Sequence, residues 1–121
     1  MALDPNAVSG LLRALDSADV YVRITAAEAL GKIGNPVAVE RLEQTLDDPR
    51  PDVRRRAYKA LERIGVEPKA RAAALVVPGL AHGLDDPDPT VRWLAESALN
   101  RLNTSGARRA LAERQARGPV R

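Results

Sequence analysis

Apolar positions recur along this chain with the spacing of a helix stripe, and the stripe itself recurs. Val22, Ala26, Ala29, Leu30 and Ile33 stand at i, i+4, i+7, i+8 and i+11, which lines them along one side of a helix. The series returns as Val53, Ala57, Ala60, Leu61 and Ile64, and again as Val91, Ala95, Ala98, Leu99 and Leu102. Upstream of each, a second set keeps step: Val8, Leu11 and Leu15; Val39, Leu42 and Leu46; Val77, Leu80 and Leu84. The unit is a pair of helices, and its copies are offset by 31 and then 38 residues. Self-similarity at such a period marks helical hairpins that stack to share a core.

The polar and special residues punctuate this pattern. Gly34 and Gly65 follow the first two stripes where a left-handed C-cap closes a helix, and Asn103 holds the third such slot. Pro5, Pro36 and Pro68, after Asp4, Asn35 and Glu67, mark the starts of the first helices. Asp19 and Asp88 occupy the N-cap of the second helix, whereas Arg50 takes that slot in the middle copy. Helices are predicted over 5–15, 20–33, 36–46, 51–64, 68–84 and 89–102. The fifth is longer by seven residues and is expected to bend or break at Pro78. Residues 104–121 form either a basic seventh helix or a tail without structure.

A charged signature joins the two helices of each unit. Leu15-Asp16, Leu46-Asp47 and Leu84-Asp85 are each followed, at one spacing, by Val22-Arg23, Val53-Arg54 and Val91-Arg92. A group that recurs in every copy has an architectural role, since a catalytic group is needed once. Asp16, Arg23, Asp47, Arg54, Asp85 and Arg92 are therefore read as a structural ladder, with carboxylates able to accept backbone N–H bonds where the second helix begins. The full pattern, L-D-x5-V-R-x2-A-x2-A-L-x2-I-G, resembles the HEAT-like repeats of the phycobilisome-lyase type over residues 5–103. The resemblance implies an all-α fold: a short right-handed α-solenoid of three HEAT-like hairpins at 5–34, 35–65 and 66–103, forming a domain over 1–103. A basic C-terminal tail or capping helix would follow at 104–121. First helices would lie on one side and second helices would line the concave face. It also implies that each arginine bridges to the acid of a neighbouring repeat.

Composition agrees with helix-on-helix packing. At 121 residues, with 45% apolar but 2% aromatic residues and no Phe, the core must be Leu, Val, Ile and Ala. The absence of cysteine excludes disulfides and thiolate metal sites. MALDPNAVSG has neither the basic nor the apolar region of a signal peptide, and the longest apolar run, Ala72 to Pro78, is too short for a bilayer. A cytoplasmic location is expected, and 16 arginines against 3 lysines point to a GC-rich prokaryotic genome. The net charge of +3 is unevenly placed: residues 104–121 hold five arginines and one acid, leaving 14 basic and 15 acidic residues before them. A uniformly basic surface is thereby excluded.

Function is sought on the side of the second helices opposite the stripe. Positions 24, 28 and 31 and their counterparts bring Ile24, Arg55 and Trp93 into one row, with Lys59 and Tyr58 close by. Aromatic and arginine side chains anchor protein interfaces, so Ile24, Arg55, Tyr58, Lys59 and Trp93 are the expected contacts to another protein. Trp93 has a second reading, as packing beneath the C-terminal segment, and the apolar ends of the stack leave self-association open. The alternative function is nucleic-acid binding by Arg55, Arg56, Lys59, Arg108 and Arg109, although Glu28 and Glu96 would interrupt the track. Chemistry has no candidate. His82 is the sole histidine, no glycine loop could cradle a phosphate, and no serine has an elbow or a base. No enzyme activity, cofactor, metal or membrane is expected.

Overall fold

The computed structural model describes residues 5–65 and 70–118. Among them are seven α-helices and no strand: α1 (Pro5–Ala14), α2 (Val20–Ile33), α3 (Val39–Thr45), α4 (Pro51–Gly65), α5 (Ala70–His82), α6 (Pro89–Leu102) and α7 (Ser105–Ala116). A 3-10 turn over Pro36–Ala38 leads into α3, and another over Gly83–Asp85 follows α5. The expected cap at Asp4 and the expected helix start at Pro68 lie outside the described residues.

The caps work locally as their residue types dictate. Asp19 accepts a hydrogen bond from the Tyr21 N–H at 2.8 Å, and Asp88 accepts from Thr90 at 3.3 Å, each freeing the chain to enter a helix from an extended residue. Gly34 ends α2 in the left-handed region at φ 73°, and Asn103 ends α6 at φ 49°. Gly65 departs from expectation. It remains inside α4 and is buried, and a Cβ there would come within 2.5 Å of Val76 Cγ2. Its small size serves close packing against α5, and no left-handed turn depends on it. Pro78 does not break its helix either, because α5 runs through it with the ring on the exposed side. The C-terminal segment is a helix: Thr104 caps α7 by accepting from the Ala107 N–H at 3.1 Å, and Ala107 is fully buried.

The helices form two layers. α2, α4 and α6 lie side by side in one, while α3, α5 and α7 follow one another in the other. Leu30, Leu42, Leu61, Ile64, Leu80, Val91 and Leu99 fill the space between, each with no exposed area. Small residues set the spacing within the second-helix layer. A Cβ on Gly31 would lie 2.8 Å from Ala60 Cα, so α2 and α4 approach backbone to backbone. Each repeat touches its neighbours along this line, which is the architecture of an α-solenoid. One predicted core position fails: Val22 is 40% exposed, whereas Val53 and Val91 at the same register are buried. That position faces the preceding repeat, and in the first copy no described residue covers it.

Candidate interaction surface

Two arginines stitch the repeats together. Arg23 sends Nε to Asp48 Oδ2 at 2.8 Å and Nη2 to Asp48 Oδ1 at 3.3 Å, while Nη1 bonds the Ser17 carbonyl at 2.8 Å. Arg54 repeats this on Asp86 at 2.9 and 3.2 Å, with Nη1 on the Asp48 carbonyl at 2.9 Å. Each of these acids also accepts an N–H two residues on, from Arg50 at 2.9 Å and from Asp88 at 2.8 Å. One carboxylate therefore fixes its own turn and holds the preceding repeat, in a fork geometry that suits guanidinium and carboxylate.

The acids of this ladder are one residue later than expected. Asp16, Asp47 and Asp85 are exposed at the turn and reach outward to the next first helix, pairing with Arg41 at 2.6 Å, His82 at 3.2 Å and Arg114 at 3.0 Å. The inner rung belongs to Asp48 and Asp86, whose place in the first repeat is taken by Ser17, accepting from the Asp19 N–H at 3.1 Å. The signal was present as the recurrence of Asp48 and Asp86, but Ser17 broke it in one copy. Arg23 and Arg54 each bridge to an acid of the next repeat, whereas Arg92 meets no acid among the described residues.

Burial sorts the five expected partner contacts differently from one another. Tyr58 is removed from the surface: it is 1% exposed, and Gly83 lies so close to its ring that a Cβ there would clash with it. The row Arg23, Ala27 and Gly31 on α2, and Arg54, Tyr58 and Glu62 on α4, is the side by which one second helix meets the next. Burial pushes the Tyr58 hydroxyl well above its ordinary range, with Asp86 and Asp47 adding to the effect, and that hydroxyl has no hydrogen-bond partner among the described residues. Arg55 is half-buried and occupied, bonding Asp88 Oδ2 at 2.7 Å and also Asp52. It forms a second rung between repeats, with the α6 cap as its acid. The equivalent pair in the earlier repeat is Ile24 and Arg50, so the unusual Arg50 accompanies the loss of its cross-repeat partner. Ile24 is half-buried, Lys59 is exposed, and Trp93 is 62% exposed, which excludes its packing beneath α7.

The open side of α2, α4 and α6 thus carries Trp93 at one end and a basic depression in the middle. Lys32, Lys59 and Arg63 line that depression of about 200 Å³ and form no ion pair among the described residues. Arg56 beside them is held by Glu28 at 2.8 Å. Of the tail arginines, Arg108 bonds the Asn103 carbonyl at 2.8 Å and Arg109 is exposed. No cluster among the described residues could hold a metal ion, and no helix is long and apolar enough to cross a membrane.

Comparison with known proteins bears on what such a surface belongs to. A family profile for HEAT repeats matches residues 8–76 and again 46–121. Among solved structures, the chain is similar to an engineered protein whose crystal structure was determined by the Northeast Structural Genomics Consortium. The TM-score is 0.72 at 25% identity, covering 91% of this chain and 51% of that one, so this chain spans about half the length of its structural neighbour. No match was found among curated proteins.

Proposed function

Because this chain belongs to the HEAT-repeat family, a generally non-catalytic scaffold that typically mediates protein interactions, we propose that it binds another protein through the open side of α2, α4 and α6. The observation that carries this reading is Trp93, a large indole left 62% exposed on that side. Lys32, Lys59 and Arg63 lie on the same side without acidic partners, so the complementary surface is acidic with an apolar pocket for the indole. Ile24 extends the contact on the first repeat. Tyr58 and Arg55 take no part, since one is buried and the other is held by Asp88.

The nucleic-acid alternative needs a continuous basic track, and acids already occupy Arg55 and Arg56. The spacing of the Leu-Asp and Val-Arg pairs supports the phycobilisome-lyase subtype within the family, and the absence of cysteine fits a cytoplasmic setting. Affinity capture from the source extract, with and without nuclease and at two salt concentrations, tests the reading. A partner retained after nuclease treatment and lost with Trp93→Ala supports it. Retention that requires intact nucleic acid and falls steeply with salt overturns it.

A further inference from the structure

Among the described residues the ladder has three arginines, Arg23, Arg54 and Arg92, and two acids, Asp48 and Asp86. Arg92 repeats the first half of the motif, its Nη1 bonding the Asp86 carbonyl at 2.7 Å and the Pro87 carbonyl at 3.1 Å, as Arg23 and Arg54 do one and two repeats earlier. In those copies Nε and Nη2 then close on an aspartate of the next repeat. At Arg92 those two donors meet no acceptor among the described residues. Arg92 lines a groove of about 720 Å³ between α6 and α7, together with Glu96, Asn100, Leu111, Arg114 and Gln115.

This groove is the continuation of an interface used twice inside the molecule. Arg92, Glu96 and Asn100 hold the register of Arg54, Tyr58 and Glu62, the row that α6 covers, and of Arg23, Ala27 and Gly31, the row that α4 covers. α7 packs on α5 and α6 as the first helix of a fourth unit, and no described helix takes the place of that unit's second helix. We propose that the groove is a docking site for a single helix of another protein that enters behind an aspartate. The aspartate would take at Arg92 the place that Asp48 takes at Arg23 and Asp86 at Arg54. A guanidinium held by backbone carbonyls, with two donors unused among the described residues, is preorganised for a carboxylate. Glu96 stands where Tyr58 and Ala27 stand in the other rows, so the incoming helix carries a lysine or arginine facing it.

A second copy of this chain fits less well, for two reasons. Its leading turn offers Ser17 where the ladder needs a carboxylate. Its α1 would also have to occupy the space that α7 already fills.

The chain's own α4 segment supplies a probe, because it makes this kind of contact on α2. A helix-stapled peptide of residues 48–65 and its Asp48→Asn form are titrated into the isotope-labelled full chain and followed by nuclear magnetic resonance. The expected shifts cluster at 92–100 and 111–118, with the Asn peptide binding about tenfold more weakly. Arg92→Gln is expected to erase that preference, Arg92→Lys to reduce it, and Trp93→Ala to leave it intact, which separates this site from the open face above. Equal binding of the two peptides, absence of shifts in the groove, or shifts at the exposed face of α1 and α2 would each overturn the proposal. So would a dimer of the chain that dissociates in Arg92→Gln.

Discussion

Asp85 and Asp86 are adjacent, identical in type and different in consequence. The Asp86 side chain is 5% exposed and accepts three hydrogen bonds, from the Asp88 N–H and from two nitrogens of Arg54. Removing it as Asp86→Ala takes away the bond that shapes the turn, worth about 1 kcal/mol. It also leaves the Arg54 guanidinium, whose side chain is 11% exposed, without its counter-charge. Loss of one partner of a buried pair costs about 3–5 kcal/mol. Arg54 keeps its bonds to the Asp48 and Pro49 carbonyls, so the lower end applies and the expected total is about 3–4 kcal/mol. Asp85→Ala removes surface pairs to Arg114 and Arg117 from a side chain 51% exposed, and is expected to cost less than about 1 kcal/mol. Urea unfolding followed by far-ultraviolet circular dichroism measures both. Arg54→Met with Asp86→Leu is expected to recover much of the loss, because no buried charge is then left alone. Equal losses at 85 and 86, or a loss under about 1 kcal/mol for Asp86→Ala, would refute the assignment of the inner acid as the rung.

The other expectations are also local. Gly31→Ala is expected to destabilise by about 1 kcal/mol, since a Cβ meeting the Ala60 backbone at 2.8 Å outweighs the gain in helix propensity. Gly10→Ala, where only the tip of Arg13 comes near, is expected to stabilise by about 0.5–1 kcal/mol in the same unfolding assay. Tyr58→Phe removes a buried hydroxyl that has no partner among the described residues, so its stability is expected to match or exceed wild type at neutral pH. The Tyr58 pKa is raised on folding, so the unfolded chain releases that proton first and stability falls as pH rises through about 10. Tyr58→Phe should flatten that fall. Arg50→Asp restores a capping side chain and is expected to add about 0.5–1 kcal/mol, with a further gain when Ile24→Arg supplies the cross-repeat partner.

Much of the architecture was legible because it is written as a period. Helix stripes, prolines at helix starts and residues suited to caps recur together, and they placed the described elements to within a few residues. What the period could not convey is which neighbour each helix side meets. Tyr58 stands at a register shared with Ala27 and Glu96, three residues of unlike character, so composition alone suggested a surface. Its burial follows from the contact of α4 with α6 and from Gly83 lying against the ring. The ladder was off by one position for a related reason. Leu-Asp is invariant across the copies, while the acid that bridges repeats is replaced by Ser17 in the first copy, ahead of which no repeat lies among the described residues. Gly65 misled because glycine serves two needs, and only the proximity of Val76 reveals which one applies. Trp93 stands on α6 and is 62% exposed, a degree of exposure that its register alone does not convey.

The claim that matters most is that partners meet the second-helix side of this scaffold at Trp93. A photo-reactive benzophenone side chain placed at 93 compares directly with one at 75, since Leu75 is 50% exposed on the first-helix side. Irradiation in nuclease-treated extract is expected to yield a discrete protein adduct from position 93 and none from position 75. An adduct from 75 with none from 93 would contradict the account.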